Sequence, residues 1–317
     1  MCAIESPGNI MQRFSVFAIA TFVLLCANSA FALDQTYAAS VTQWRGKVEA
    51  SLRRDNGWLT LAGRYVMKSG ENTIGSAKNN DIVLPEGVGP GRLGSMIIDD
   101  RMVLLKLADG ITMKAQEGDF KGERVMVTSG ESRDWVTLGN MAFHVIERKG
   151  TYVLRLADNA SLNRKNFPGR IWYDVKEGYR LQGRFVPFES GKTLQIVDVI
   201  DELHDMPSPG YVEFKLNGKT MRLDAVADPG ENELFIIMKD ETAGKGTYNA
   251  GRFLVVEWPE AVRDKGGPVT IDFNKTYNPP CAFSDYTTCP LPPEQNMLKV
   301  RVEAGEKYLP KKLAGVN

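Results

Sequence analysis

The sequence has few of the residues on which common enzymatic and metal chemistry depends. Its 317 residues include only 2 histidines and 4 cysteines, and its 39 Lys and Arg residues are balanced by 39 Asp and Glu residues. Two histidines leave little room for a histidine-rich metal site or a histidine-dependent catalytic triad. A general nucleic-acid-binding protein needs a basic excess, which this chain does not have. The sequence therefore predicts no cofactor, no metal site and no nucleic-acid partner.

The sequence motifs of familiar hydrolases and nucleotide-binding proteins are also missing. The chain has no Gly-x-Ser-x-Gly elbow and no His-Glu-x-x-His motif. No glycine-rich loop precedes a predicted helix, so the usual scaffold for binding nucleotide phosphates is missing too. With 43% hydrophobic and 25% charged residues, the composition is that of a folded protein.

The two histidines lie in different surroundings. His144 has apolar neighbours in a predicted strand, which is typical of a structural residue rather than of a metal ligand. His204 lies in the acidic segment 201–205, whose carboxylates could bind a divalent cation. A solvated acidic turn explains the same segment, and we favour that interpretation.

The first 32 residues predict a secretory signal peptide, residues 1–32. Arg13 precedes an apolar stretch over residues 14–27, which is shorter than the roughly 20 residues of a membrane span. Ala30 and Ala32 then supply the small residues of a cleavage site. Cleavage after Ala32 would give a periplasmic or secreted chain with no predicted transmembrane segment. An uncleaved N-terminal anchor is the alternative.

The predicted mature chain keeps two cysteines, Cys281 and Cys289. Both lie in a proline-rich segment, residues 276–297, which has little strand pattern and is long for an ordinary connection. Two cysteines alone in an exported chain favour a disulfide between them. We therefore expect an ordered loop tied by a structural disulfide. A redox-active pair is the alternative, although such pairs usually have two intervening residues rather than seven.

An amphipathic helix is predicted over residues 33–56. Its apolar side chains recur every three or four residues along one stripe: Tyr37, Val41, Trp44, Val48 and Leu52. We expect this stripe to dock on the body of the protein. Because the helix carries mixed charge and a wide aromatic stripe, binding to a membrane surface is disfavoured.

After Gly57 the hydrophobic pattern changes to a period of two, and turn residues recur about every ten positions. Hairpin turns are predicted at Lys149-Gly150 and Asn217-Gly218. Late strands are predicted over residues 269–273 and 298–303. At the end of the first, Asp272 and Asn274 are expected to project to the same face. The fold class is therefore mainly β, with the N-terminal helix packed on two antiparallel β modules of sandwich or barrel type.

The boundary between the two modules is predicted in residues 157–178, where the strand pattern is weakest and asparagine, proline and glycine are frequent. The first module then spans residues 57–158. The second spans residues 159–317 and contains the proline-rich loop.

A set of polar side chains in the second module is the best candidate for a functional site. One group surrounds a loop and the other follows a predicted strand; the residues are Asp240, Thr242, Tyr248, Arg252, Asp272, Asn274, Tyr277 and Asn278. Side chains of these types at loop ends could bind a small polar ligand, with arginine for an anion and tyrosine for stacking. They could equally cap turns and hold the long loop in place. Two of them, Asp240 and Asp272, are also the carboxylate pair that a glycan hydrolase would need.

The C-terminal half carries the most distinctive stretch of sequence, which reads Tyr277-Asn278-Pro279-Pro280-Cys281-Ala282-Phe283. Together with residues 240–254, 288–296 and 303–307, and with residues 57–63 and 70–76 in the N-terminal half, it resembles the bacterial domain-of-unknown-function 1684 family. The resemblance extends over nearly the whole mature chain. It implies an exported bacterial protein, and it supplies no catalytic residues because the family has no established activity.

Residues 70–76 and 80–85 are also similar to the start of a forkhead-associated domain, a β-sandwich that binds phosphothreonine. In that family an arginine follows the glycine, and a serine and a histidine lie shortly downstream. Here Ser76 replaces the arginine, and residues 88–94 contain no serine–histidine pair. The resemblance therefore implies a strand-turn-strand architecture without phosphopeptide binding.

Together these features predict an exported bacterial envelope protein that either binds an unidentified small polar ligand or has a structural role. The competing hypothesis is a glycan-directed envelope hydrolase that uses Asp240 and Asp272 as acid and base. The two hypotheses predict different surroundings for the carboxylates. An enzyme needs both acids facing one cleft, whereas a scaffold has them engaged by Arg252 or by backbone amides.

Overall fold

A computed structural model of the protein describes residues 35–85, 87–128 and 134–308. The predicted signal peptide, residues 1–32, lies outside the described residues. Helix α1 spans residues 35–53, and its apolar stripe faces the body of the protein as predicted. Val41 and Leu52 are buried, and the Trp44 ring contacts the rings of Trp172 and Tyr277 edge-on. Within the described part of the chain, α1 and the other helices are too short or too polar to span a bilayer.

In the described residues between α1 and residue 159 there are eleven strands: β1 Leu61–Val66, β2 Gly70–Gly75, β3 Ile82–Val83, β4 Gly94–Asp99, β5 Met102–Leu107, β6 Met113–Ala115, β7 Gly118–Phe120, β8 Glu123–Met126, β9 Val136–Leu138, β10 Met141–Arg148 and β11 Thr151–Asp158. They form a six-stranded sheet in the order β1-β11-β10-β9-β6-β7 and a five-stranded sheet in the order β3-β2-β4-β5-β8. All pairs are antiparallel except β2–β3. The two sheets share one hydrophobic core, to which Phe143 and Leu154 contribute from one sheet and Met96 and Leu105 from the other.

Eight further strands follow, with two short helices among them: α2 Leu162–Lys165, β12 Arg180–Pro187, β13 Thr193–Val197, β14 Leu203–Pro207, β15 Gly210–Leu216, β16 Lys219–Ala225, β17 Glu233–Met238, β18 Arg252–Glu257, α3 Glu260–Arg263 and β19 Gly267–Asp272. A four-stranded antiparallel sheet has the order β16-β15-β12-β19, and β13–β14 and β17–β18 form separate hairpins. A second core joins the four-stranded sheet, through Phe185 and Val212, to the β17–β18 hairpin, through Ile236 and Leu254.

The predicted fold class is confirmed: the protein is mainly β, with one N-terminal helix and several antiparallel sheets. Of the two predicted types, no closed barrel occurs in the ranges that the structure describes. Both predicted hairpin turns form. Lys149 and Gly150 have φ values of 49° and 80°, and Asn217 and Gly218 have φ values of 52° and 75°. Such turns require two successive residues with positive φ, a conformation that asparagine and glycine adopt readily.

Two local predictions are wrong. Residues 298–303 form no strand; their backbone groups bind single partners instead of a ladder, and the Val302 N–H donates to the Asp240 carboxylate over 2.7 Å. We also expected Asp272 and Asn274 to share one face of a strand. β19 ends at Asp272, and Asn274 lies in the following 3-10 turn, Phe273–Lys275, where the Asp272 side chain accepts from the Asn274 backbone N–H.

The segment between β11 and β12 contains no strand, and its helical residues are those of α2 and of a 3-10 turn at Glu177–Tyr179, in keeping with its weak pattern. The proline-rich loop is ordered by 3-10 turns at Pro280–Ala282 and Glu294–Asn296. Cys281 and Cys289 form the predicted disulfide, with their Cα atoms 6.1 Å apart. This separation is within the range that a disulfide requires.

Candidate functional site

Three of the predicted polar residues form one buried cluster. The Arg252 guanidinium donates to Asp240 Oδ1 over 3.1 Å, and the Thr242 hydroxyl donates to the same carboxylate. The backbone N–H groups of Thr242 and Val302 donate to Asp240 Oδ2 as well. The Thr242 hydroxyl also pairs with that of Thr247, 2.8 Å away. All these side chains are buried, so the hydrogen-bond partners of the Asp240 carboxylate are groups of the protein interior.

Arg252 is 1% exposed and fixes the segment that follows the proline-rich loop. Its Nη atoms donate to the carbonyl oxygens of Val302, Ala304 and Glu306. Burial lowers the pKa of Arg252, and the adjacent Asp240 opposes this shift. Because a buried arginine needs acceptors for its donors, the geometry identifies Arg252 as a structural cross-link between β18 and residues 302–306.

Asp272 and Asn274 form a second buried cluster with helix α1. The Tyr37 hydroxyl donates to Asp272 Oδ1 over 2.8 Å and accepts from Asn274 Nδ2 over 3.0 Å. The Asn274 side chain also binds both backbone polar groups of Lys176. Burial, together with the Asp272 carboxylate, raises the pKa of Tyr37 far above its ordinary value. The cluster therefore holds α1 and residue 176 against the end of β19.

Tyr248 and Tyr277 contribute aromatic contacts. The Tyr277 ring lies between Trp44 of α1 and Phe253 of β18, with centroid distances of 6.1 and 5.9 Å. Burial raises the pKa of Tyr277 to about 12. The Tyr248 ring contacts the Tyr308 ring at 4.9 Å, and burial raises its pKa too. Both tyrosines therefore stabilise the fold through contacts with neighbouring aromatic rings.

Asn278 belongs to a third polar group, which includes two residues that the sequence did not indicate. The Asn278 backbone N–H donates to Glu306 Oε2 over 2.7 Å, and its Nδ2 donates to the Lys307 carbonyl oxygen over 2.9 Å. Arg170 forms an ion pair with the same Glu306 oxygen. Its guanidinium lies over the ring of Phe283, 4.7 Å from the centroid.

These polar residues form one end of a cavity of about 280 Å³. Its walls come from residues 162–171, residues 278–283 and residues 306–308, with Leu59 beneath. Most of the wall is apolar; the side chains are those of Leu59, Leu162, Phe167, Pro168, Ile171, Ala282, Phe283 and Tyr308. A mostly apolar concave site with a few converging polar groups is the usual form of a small-molecule site.

The charges at the polar end are buried. The side chains of Arg170 and Glu306 are 5% and 1% exposed. Burial raises the pKa of Glu306 to about 7, because loss of solvent outweighs the Arg170 charge and the Asn278 backbone N–H, both of which lower it. Two atoms here lack a hydrogen-bond partner within the described structure, namely the acceptor Asn278 Oδ1 and the donor Arg170 Nε. Unpaired buried atoms also occur elsewhere in the described residues, for example Arg252 Nε, so it is the adjacent apolar cavity that marks this group as a functional candidate.

The proposed carboxylate pair has the surroundings expected of a scaffold. Asp240 is engaged by Arg252 and by backbone amides, and Asp272 is engaged by Tyr37 and Asn274. Neither lines the cavity that contains Asn278. The hydrolase hypothesis thus gains no support from the hydrogen bonds of these two carboxylates.

His204 lies in β14 and pairs with Asp198, which the sequence analysis did not single out. His204 Nε2 is 3.0 Å from Asp198 Oδ2, and Asp198 Oδ1 accepts from the backbone N–H groups of Ile200 and Glu202. Asp198, Glu202 and His204 each place one ligand atom within 4.8 Å of the others. Because Asp198 accepts these two backbone hydrogen bonds, its carboxylate has a structural role in stabilising the turn at residues 198–202. His144 is buried beside the Trp135 ring, at a centroid distance of 3.9 Å.

The fold and cavity thus describe a mainly β protein with a largely apolar cavity, lined mostly by residues of its C-terminal half. Residues 165–307 match the sequence model of the family described as "Protein of unknown function (DUF1684)". The match covers the C-terminal part of the chain, where all eight predicted polar residues, the disulfide and most of the cavity lie.

Among solved structures, the chain is similar to the solution NMR structure of the uncharacterized protein from gene locus rrnAC0354 of Haloarcula marismortui. The two are 33% identical over an alignment that covers 45% of this chain and 78% of that chain, with a TM-score of 0.38. No curated protein matches the chain.

Proposed function

We propose that this protein is an exported, non-catalytic binding protein, and that its ligand is a small molecule with an apolar body. The cavity between residues 162–171 and 278–283 is the proposed binding site. One observation carries the proposal: a largely apolar cavity of about 280 Å³ ends at a buried ion pair, Arg170–Glu306. Apolar walls supply affinity, and a few fixed polar groups supply specificity.

Two features support export. The apolar stretch after Arg13 ends in small residues that suit signal-peptide cleavage after Ala32. A disulfide such as Cys281–Cys289 persists in oxidising compartments and is rare in the cytosol. We place the protein in the bacterial cell envelope, and the resemblance of residues 57–63 extends the proposed family membership to the N-terminal half.

The proposal is tested with N-phenyl-1-naphthylamine, a neutral fluorophore whose emission rises in apolar sites. We expect saturable binding at one site per chain. The variant Ile171→Asp, which places a charge on the cavity wall, should weaken the affinity at least tenfold, because a carboxylate opposes an apolar ligand.

The matched control is Val125→Asp, which changes another exposed aliphatic residue, in β8 outside the cavity. This variant should bind the fluorophore like the wild type. The proposed site is wrong if both variants bind equally well, or if the wild type shows no saturable binding.

A further inference from the structure

A second cavity, of about 450 Å³, has no part in the proposed function. Among the described residues, it shares no lining residue with the cavity assigned above. We infer that this second cavity binds a small organic anion that carries a ring, with arginine side chains for the anionic group and Trp58 for the ring. The inference does not rest on the proposed function, because it concerns a different site.

Strands β10 and β11 form the floor of the second cavity. Successive side chains of a strand point to opposite faces of a sheet. Phe143 and Val145 belong to the core between the two sheets. His144 and Ile146 alternate with them and line the cavity, so the floor is the outer face of the six-stranded sheet. Arg155 lies opposite His144 on β11, and both residues are buried.

Two tryptophans adjoin this floor. The Trp135 ring lies 3.9 Å from the His144 ring, centroid to centroid. The Arg155 guanidinium lies 6.0 Å from the centroid of the Trp58 ring. Trp58 is the first residue of a 3-10 turn after α1, and it lines the cavity while it remains 40% exposed. An exposed indole at a cavity offers a flat apolar surface on which the ring of a ligand can stack.

The charges of the cavity wall are predominantly positive. Three arginines line the cavity, namely Arg54, Arg148 and Arg155, whereas Glu147 is the one carboxylate among its described lining residues. Glu147 Oε1 accepts from the backbone N–H of Gly150 at the hairpin turn. The whole chain has equal numbers of basic and acidic residues, so the positive excess is a local property of this cavity. Such an excess attracts an anion and repels a cation.

Two of the arginines are available to a ligand. Arg54 and Arg148 are exposed, and neither forms an ion pair within the described part of the chain. Arg53, which precedes Arg54, is by contrast paired with Glu49. Arg148 Nη1 donates to Thr288 Oγ1 over 3.0 Å, which uses one of the five N–H groups of a guanidinium. An arginine binds a carboxylate or a phosphate through two parallel hydrogen bonds, so both groups suit this wall.

The size of the cavity limits the ligand to a small molecule. A volume of about 450 Å³ lies within the roughly 300–1,000 Å³ that is usual for small-molecule sites. Charge selects the anionic group, and the exposed face of Trp58 selects the ring. The ligand class is therefore a cyclic or aromatic compound that carries a carboxylate or a phosphate.

The test compares three compounds that share one ring system: 1-naphthoate, 1-naphthyl phosphate and the neutral 1-naphthamide. Their affinities for the full protein are measured calorimetrically at neutral pH. We expect at least one of the two anions to bind at least tenfold more tightly than the amide, because only the anions pair with the arginines. The tighter anion identifies the anionic group of the ligand. The inference is wrong if neither anion binds more tightly than the amide.

A double variant locates the anion. Arg54→Gln, Arg148→Gln should weaken binding of the tighter anion at least tenfold and leave the affinity for the amide unchanged. The matched control is Arg101→Gln, Arg184→Gln, which removes the same charge at two exposed positions outside the cavity. The control should bind the anion like the wild type. Equal affinities of the two double variants for the anion would overturn the inference.

Two single variants test the ring contact and the choice of cavity. Trp58→Leu should weaken binding of the anion at least fivefold, because it removes the stacking surface. Ile171→Asp, on the wall of the first cavity, should leave the affinity for the anion unchanged. If Trp58→Leu binds the anion like the wild type, the assignment of Trp58 is wrong. If Ile171→Asp abolishes anion binding, the anion binds in the first cavity; this inference is then wrong, whereas the proposed function is not.

Discussion

At the scale of single residues, Arg252 shows how a charge can be placed inside a β protein. It donates to one carboxylate and to three backbone carbonyl oxygens, of which the Asp240 and Val302 contacts are 3.1 and 3.0 Å long. A buried ion pair adds little net stability when it is compared with apolar residues of the same volume. Removing one partner alone, however, leaves an unpaired charge in the interior.

We expect Arg252→Met to lower the free energy of unfolding by about 3–5 kcal/mol, because it leaves the Asp240 charge buried without its partner. The matched control is Arg301→Met, which removes an exposed partner of Glu303 and should cost at most about 1 kcal/mol. Urea denaturation measures both values. Equal losses in the two variants would show that Arg252 does not have the structural role described above.

Glu306 makes stability depend on pH in an unusual direction. Its pKa is about 7 in the folded protein, against an ordinary value of 4.5. Between these two pH values the folded state binds more protons than the unfolded state, so the free energy of unfolding decreases as pH rises. The stabilising contribution of Glu306 is therefore fully present below pH 4.5 and is lost as pH rises through 7.

We therefore expect the stability of the wild type relative to Glu306→Gln to fall by about 2–3 kcal/mol between pH 4.5 and pH 7, and to level off above pH 8. Denaturation at a series of pH values gives this difference. Glu303→Gln, at an exposed position, should show no such fall. A difference between wild type and Glu306→Gln that does not vary with pH would contradict the raised pKa.

The polar residues of the C-terminal half were only partly predictable. Asp240, Thr242 and Arg252 are close in sequence and meet in space, so local clustering identified them. Arg170 and Glu306 were missed because 136 positions separate them. Glu306 lies in a stretch that carried the family resemblance, but that resemblance assigns it no role and no partner. Such pairs come together only in the folded protein, and contacts between distant residues cannot be read from a single sequence.

Tyr37 was recognised only in part. Its place on the apolar stripe of α1 correctly predicted that it is buried. The stripe held no information about its hydroxyl group, which binds Asp272 and Asn274, 235 and 237 positions away.

At the scale of elements, the success of a prediction depended on whether the element is fixed locally. The two hairpins were predictable because their turn residues determine the backbone conformation. Residues 298–303 have the alternation of a strand, yet both backbone polar groups of Val302 are bound by side chains, its carbonyl oxygen by Arg252 and its N–H by Asp240. A side chain that replaces a strand partner leaves the hydrophobic pattern unchanged, so the pattern could not reveal the difference.

The disulfide loop is the element most open to experiment. In the chain-entropy model, the closed loop between Cys281 and Cys289 contributes about 2–3 kcal/mol. We expect the double variant Cys281→Ala, Cys289→Ala to lose this amount in urea denaturation. Because Ala282 and Phe283 line the cavity, the double variant should also bind N-phenyl-1-naphthylamine more weakly.

A reducing agent should destabilise the wild type by a similar amount and leave the double variant unaffected. If reductant changes both proteins equally, or neither, the disulfide does not stabilise the fold.

At the scale of the whole molecule, segments far apart in sequence meet on the β12–β19 part of the chain. Helix α1 is bound at the end of β19 through Tyr37, and residues 302–306 are bound to β18 through Arg252. The cavity adjoins one of these contacts, because Glu306 lines it and the Glu306 carbonyl oxygen accepts from Arg252. The integrity of the proposed site therefore depends on contacts from both directions along the chain.

Export predicts a defined covalent product. When the full chain is expressed in a bacterium with a periplasm, we expect mass spectrometry to find a protein that begins at Leu33 and contains no free thiol. Ala30→Arg, which disrupts the predicted cleavage site, should retain residues 1–32. A soluble cytosolic product that still carries these residues in the wild type would contradict export, and a membrane-bound one would support the uncleaved anchor.

The contacts of Arg252 also determine the order in which the chain can fold during synthesis. β18 leaves the ribosome before residues 302–306, so at that stage the guanidinium has none of its carbonyl partners. Burying the charge then would be unfavourable, so we expect the core around β17 and β18 to close only after residue 306 has been made. Contacts between distant residues slow folding as well. A polypeptide that closes late would stay unfolded long enough to pass through an export channel, as the proposed export requires.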